Sequence, residues 1–82
     1  MLRISVETNL KPENVIQQAI KLFTKDYGLK VKEECLDRVE LEGGGGGISI
    51  DAKAGDKKTE VEIVTTEFEE QVKEFTSYLK KK

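Results

Sequence analysis

The first third of the chain predicts a strand followed by a helix. Apolar side chains at Leu2, Ile4 and Val6 alternate with polar ones, which is the period of two expected of a strand with one buried face. Pro12 suits the first position of a helix, because its ring fixes a helical φ and its missing N–H would have no partner there. Gly28 supplies the left-handed residue that commonly ends a helix. Between them runs an apolar stripe at helical spacing, formed by Val15, Ile16, Ala19, Ile20 and Phe23.

The middle of the chain returns to a period of two and predicts three strands. In the stretch from residue 29 to 42 the alternation is disturbed, because polar residues or cysteine occupy the expected apolar positions Glu33, Cys35 and Asp37. We therefore expect a bulge, a bend or a late strand start near Glu34, with residues 38–42 assigned to the strand. Residues 48–54 and 58–65 alternate in the same way, on either side of a turn sequence, AGDKK.

The last segment predicts a closing helix. Thr66 and Glu69 have the spacing of a capping box, in which each side chain satisfies the free backbone N–H of the other residue. An apolar stripe then follows at spacings of four, three and four residues, formed by Phe68, Val72, Phe75 and Leu79. Lys80, Lys81 and Lys82 lie at the C-terminal end, where cations complement the helix dipole.

These elements predict a single α+β domain, residues 1–82, with the order β-α-β-β-β-α. A three-stranded meander cannot cover its own apolar face, so both helices are expected on one face of a four-stranded, largely antiparallel sheet. The fold class is therefore a two-layer sandwich. Its element order resembles that of helix-grip and TATA-binding-protein-like domains.

Composition narrows the functional classes. The 82 residues are 37% apolar and 37% charged, with a net charge of −2 and no histidine. A chain this short has a thin core, and its apolar runs fall far below the roughly 20 residues that span a bilayer. The single cysteine, Cys35, excludes an internal disulfide, so we expect a cytoplasmic protein without a membrane association. Enrichment in Lys and Glu is typical of hyperthermophile proteins.

Five consecutive glycines, Gly43, Gly44, Gly45, Gly46 and Gly47, are the most unusual feature of the sequence. A phosphate-binding loop would lead into a helix N-terminus, whereas this run leads into a strand and has acidic flanks. The first interpretation is a flexible hairpin turn. The alternative is a functional loop for a ligand or partner, either as a mobile tip or as strand ends that leave a groove where a helix or ligand approaches the backbone.

Catalytic and metal chemistry have few candidate residues. Without histidine the chain lacks the side chain that titrates nearest neutral pH and the usual partner of a nucleophile. Cys35 lies among acidic residues, but zinc sites require several Cys or His ligands, so we interpret it as a small buried or half-buried side chain. The acidic pairs in the strands, Glu40 with Glu42 and Glu60 with Glu62, are interpreted as members of cross-strand ion pairs on a solvated face. We expect no enzyme activity, cofactor or metal.

Surface residues suggest two kinds of contact. The outward face of the sheet is acidic and has no aromatic ring, unlike sheets that bind single-stranded nucleic acid, so nucleic acid is disfavoured; Lys80, Lys81 and Lys82 are the candidate phosphate contacts. Tyr27 and Tyr78 lie off the centres of their helix stripes. We interpret them either as amphipathic contacts at an interface or as caps on the rim of the core. Open sheet edges offer a common route to a homodimer.

The sequence therefore predicts a small non-enzymatic binding or assembly module that acts through homodimerisation or a protein partner. One alternative is a carrier with a small apolar ligand between the sheet and the closing helix. A second alternative is weak nucleic-acid binding through two lysine clusters, one near the end of the first helix (Lys21, Lys25, Lys30 and Lys32) and one formed by Lys80, Lys81 and Lys82.

Overall fold

The computed structural model describes all residues from Met1 to Lys82. The elements are β1 (Leu2–Thr8), α1 (Pro12–Lys25), β2 (Lys30–Glu34), β3 (Arg38–Gly43), β4 (Gly46–Ala54), β5 (Thr59–Thr66) and α2 (Glu69–Lys80). The predicted α+β class, with two helices and an antiparallel sheet, is confirmed. Neither helix has the length and apolar content needed to cross a bilayer.

The sheet has five strands, not the four that the sequence predicted. Their spatial order is β1-β5-β4-β3-β2, and every neighbouring pair is antiparallel. β2 to β5 form a meander, and β1 joins it beside β5. The two edges of the sheet are therefore β1 and β2.

The additional strand comes from the disturbed stretch between residues 29 and 42. The chain reverses at Cys35–Asp37, so β2 and β3 form a hairpin in which Val31 lies opposite Leu41. The expected irregularity is present as a register shift between Val31 and Glu33. Cys35 is exposed, and the prediction of a buried or half-buried thiol is wrong, because its residue lies in the turn and not in a covered strand.

Both helices cover the same face of the sheet, consistent with two layers. α1 packs on β2, β3 and β4, whereas α2 packs on β1 and β5. Where the helices meet, the rings of Phe23 and Phe75 make an edge-to-face contact with centroids 5.5 Å apart, a preferred geometry for aromatic pairs. The core is one cluster of 16 buried residues: Val6, Val15, Ile16, Ala19, Phe23, Leu29, Val39, Leu41, Ile48, Ile50, Ala52, Val61, Ile63, Val72, Phe75 and Leu79.

The helix ends agree with the sequence for α1 and disagree for α2. Pro12 opens α1, and Gly28 beyond its end has a φ of 69°, as predicted. The capping box at α2 is wrong: Phe68 holds the N-cap position and no side chain caps the helix. Thr66 is instead the last residue of β5, paired with Gly47, so the helix begins at Glu69, too late for Thr66 to reach its free N–H groups.

Candidate functional site

The glycine run forms a tight hairpin tip and not a long loop. Gly44 and Gly45 are the two turn residues, with φ values of 55° and 86°, and Gly43 pairs with Gly46 across the base. Positive φ at both positions of a two-residue loop is the type I′ geometry that matches strand twist. Gly43, Gly46 and Gly47 belong to the strands.

The strand glycines are approached closely by the chain itself. A Cβ at Gly46 would collide with the carbonyl oxygen of Thr66 and with the side chain of Glu67, and a Cβ at Gly43 would collide with Leu29. The link from β5 to α2 thus crosses directly over the end of β4. The sequence suggested that a helix or ligand approaches the glycine backbone, and at Gly46 this close approach is made by the link itself. A binding role for the glycines stays a prediction.

Tyr27 and Tyr78, predicted as possible interface residues, lie beside one depression between the two helices. This depression, here called the aromatic groove, has a volume of about 280 Å³ and is lined by Gln18, Leu22, Tyr27, Glu74, Phe75 and Tyr78. Tyr27 is 36% exposed and Tyr78 is 38% exposed. Each packs one side against the buried aromatic pair: Tyr27 against Phe23 and Tyr78 against Phe75. The tyrosines therefore cap the rim of the core and also present ring surface to solvent.

Glu74 joins the groove through a hydrogen bond that sequence reasoning missed. The Tyr27 hydroxyl donates to Oε2 of Glu74 over 3.1 Å. This bond raises the pKa of the Tyr27 phenol above its ordinary value of 10.0, assisted by partial desolvation and by the negative charges of Glu74 and Asp26. The only sequence signal is that Glu74 precedes Tyr78 by four residues, the spacing of neighbours on a helix face.

The terminal lysines are exposed at the end of α2. The ammonium of Lys82 lies over the ring of Tyr78, with Nζ 5.1 Å from the centroid, within the distance of a cation–π contact. Its backbone carbonyl accepts a hydrogen bond from Asn9 at 3.3 Å. One of the three candidate phosphate contacts is thus engaged with the rim of the aromatic groove.

The outer face of the sheet carries charge and no aromatic ring. Arg38 contacts Oε1 of Glu40 at 3.3 Å and Oδ1 of Asp51, directly across on β4, at 3.6 Å. Arg38 and Asp51 thus form one cross-strand ion pair, but the prediction for the four glutamates is wrong: Glu40 pairs with Arg38 within its own strand, and Glu42, Glu60 and Glu62 form no ion pair. A depression of about 610 Å³ at the β1 side of this face contains a mostly acidic set of polar side chains: Ser5, Glu7, Asp51, Lys53, Glu60 and Glu62.

The two sheet edges differ in their availability for pairing. β2 has five exposed residues, four of them charged, and its ladder is interrupted by the register shift. β1 pairs with β5 along all seven of its residues without a shift, and it has no proline, glycine or lysine. Charged residues and bulges blunt edge strands, so β2 is the better protected edge, and β1, with only Arg3 and Glu7 charged and no register shift, is the more open one.

The two remaining candidate sites are a metal site and a pocket for an apolar ligand. No group of three or more His, Cys, Asp or Glu side chains is arranged to hold a metal ion. Between the sheet and α2, where an apolar ligand was the alternative hypothesis, the space is filled by Val72, Phe75 and Leu79, each at most 1% exposed.

The chain was also compared with known proteins. No protein-family model, curated protein or solved structure matches it.

Proposed function

We propose that this protein is a small non-enzymatic assembly module that forms a homodimer by pairing the β1 edges of two copies. The observation that carries the proposal is the order of charges along β1. Arg3 and Glu7 lie on the outer face, two residues to either side of Ser5. Neither forms a salt bridge within the chain, whose ion pairs all lie elsewhere.

This order is self-complementary under two-fold symmetry. If an axis perpendicular to the sheet passes beside Ser5, antiparallel pairing puts Arg3 of each copy opposite Glu7 of the other. Ile4 of each copy then lies opposite Val6 of the other on the face that the helices cover. Opposite charges directly across an antiparallel pair contribute roughly 0.2–1 kcal/mol each, and a two-fold interface forms every such pair twice.

The surroundings of Glu7 also favour a positive partner. Within one chain Glu7 lies directly opposite Glu60 of β5, and like charges in that position are destabilising. An arginine from a second copy on the free side of Glu7 would offset this repulsion. Dimerisation therefore supplies a cation to an outer face that has an excess of acid beside β1.

Sedimentation equilibrium over a wide range of protein concentrations tests the proposal. All variants are made on a Cys35→Ser background, because the exposed thiol would otherwise allow disulfide-linked dimers. Arg3→Glu puts like charges opposite each other at both ends of the β1 pair. We expect its dissociation constant to rise roughly ten-fold or more, since two pairs change from attraction to repulsion.

Two controls make the result specific. The double variant Arg3→Glu with Glu7→Arg reverses both charges, restores complementarity and should recover the dimer. Lys32→Glu changes a charge on the β2 edge and should leave the dissociation constant unaltered. A chain that stays monomeric at the highest concentration, or a dimer insensitive to Arg3→Glu, would contradict the proposal.

The relation to helix-grip or TATA-binding-protein-like topology is likewise a proposal. It rests on element order alone, and the observed order, β-α-β-β-β-β-α, has one strand more than the predicted order on which the resemblance was based.

A further inference from the structure

The aromatic groove lies between the two helices, is lined by no residue of β1, and combines three features that suit one kind of ligand. It has ring faces, because about a third of each tyrosine is exposed. It has a carboxylate, because Glu74 lines the depression and forms no salt bridge. It also has an apolar floor, made of Leu22 and Phe75.

The carboxylate of Glu74 is fixed at the groove by its contact with Tyr27. The phenol donates to Oε2 over 3.1 Å, which leaves Oε1 and the remaining lone pairs available to another donor. Asp26 adds to the negative charge near this phenol. A cation entering the groove would therefore meet an oriented acceptor and an unpaired charge.

The chain itself supplies a cation to one of these rings. Nζ of Lys82 lies 5.1 Å from the centroid of Tyr78, and this ammonium has no carboxylate partner. The face of the Tyr78 ring thus already contacts a positive charge, and no ion pair holds that charge in place. Attraction to the ring quadrupole is the physical cause.

We propose that the aromatic groove binds an arginine side chain from an exposed segment of a partner polypeptide. The guanidinium stacks on the exposed tyrosine rings and donates to Glu74, while its methylene groups lie against Leu22 and Phe75. Arginine fits better than lysine because its planar group stacks on rings and donates two parallel hydrogen bonds to a carboxylate. Lys82 competes for the same rim and moves aside when the partner binds.

The groove has too little apolar surface for the other obvious occupant, an amphipathic helix. Such helices dock through anchors spaced over two turns, whereas only four lining residues here are hydrophobic, and two of those are tyrosines with polar tips. The carboxylate of Glu74 would then be buried without a cationic partner, which is costly. An arginine side chain donates hydrogen bonds to the carboxylate and stacks on the tyrosine rings at the same time.

An NMR titration of the full chain tests this inference. The probe is a blocked Gly-Arg-Gly peptide, and the matched control is the same peptide with citrulline, which keeps the shape of the side chain but lacks the charge. We expect the arginine peptide to shift the amide resonances of Tyr27, Glu74 and Tyr78 with saturation. The citrulline peptide should bind about ten-fold more weakly, because the charge-assisted bond is lost.

Two variants should change the affinity for the arginine peptide in opposite directions, so an effect on binding can be told apart from a loss of folding. Glu74→Gln should weaken the arginine peptide about ten-fold, whereas Lys82→Ala should strengthen it by removing the internal competitor. Glu70→Gln, on the same helix and outside the groove, should have no effect. Equal affinity for citrulline, tighter binding of a blocked Gly-Leu-Gly peptide, unchanged affinity in Glu74→Gln, or shifts confined to residues outside the groove would each overturn the inference. Failure of the homodimer leaves this result unaffected, because the peptide titrates a site within one chain.

Discussion

Glu7 of β1 lies directly opposite Glu60 of β5, so two carboxylates occupy adjacent positions on the outer face of the sheet. Like charges across a ladder cost roughly 0.2–1 kcal/mol. At protein concentrations where the chain is monomeric, Glu7→Gln should therefore stabilise the fold by about this amount. Thermal unfolding followed by circular dichroism measures the change, and about 1 kcal/mol corresponds to a rise of roughly 4–8 °C in the midpoint for a domain of this size.

Glu34→Gln is the matched control for that variant. Glu34 is exposed on the other edge strand and lies opposite the uncharged Val39. Its substitution should leave the midpoint within about 0.5 kcal/mol of the wild type, as is usual for surface positions. Equal effects of the two variants would show that net charge, and not the opposition of Glu7 and Glu60, is responsible.

The glycines should differ sharply in their tolerance of a side chain. Gly46→Ala forces a Cβ onto the Thr66 carbonyl and Glu67, and such overpacking costs about 1–3 kcal/mol. Gly44→Asn puts a side chain into open space at a positive φ that Asn tolerates. It should be neutral or stabilise by up to roughly 1 kcal/mol through the unfolded state. Urea denaturation of both variants checks the contrast, and comparable losses would contradict the assignment of Gly44 to the open turn.

Ionisation of Tyr27 should depend on Glu74. The contact raises the pKa of the Tyr27 phenol, so its contribution to stability is fully present below pH 10, the ordinary value, and is lost as the pH rises through the raised value. On a Tyr78→Phe background, ultraviolet absorbance reports Tyr27 alone. Glu74→Gln should lower the midpoint of this titration, since it removes the negative charge, whereas Glu70→Gln should not move it.

Cys35 should react with a thiol reagent in the native state without prior unfolding. Its side chain is exposed in the turn between β2 and β3, so labelling needs no opening of the core. The rate with Ellman's reagent should be similar in buffer and in denaturing urea. A native rate lower by several orders of magnitude would mean that the thiol is covered.

The apolar periodicity was sufficient to predict the strands that have one clearly buried face. It was insufficient to predict the hairpin where the chain reverses between β2 and β3. The buried positions of β1, β4 and β5 follow the alternation in the sequence. The β2–β3 hairpin was missed because Val31 and Leu41 are both odd-numbered apolar positions. This spacing fits two residues on the same face of one bent strand as well as it fits two residues that oppose each other across a hairpin, as they do here. Parity alone cannot separate these arrangements.

The candidate site was predicted less completely than the fold. Tyr27 and Tyr78 could be singled out by their positions beside the helix stripes, but their meeting at one groove depends on how α1 and α2 lie side by side on the sheet. Glu74 carries no signal beyond helix spacing, because it is one of many acidic residues on exposed surfaces. Similarly, Thr66 and Glu69 satisfied a local capping motif, but pairing of Thr66 with Gly47 in the sheet took precedence.

The register shift in β2 also limits how far strand pairing can extend. A molecule with two open edges has a valence of two and can add copies without end, as fibrils do. The irregular, highly charged β2 leaves this chain with a valence of one. In the proposed dimer, growth through the backbone would stop at two copies, because the pair uses up the one open edge of both members.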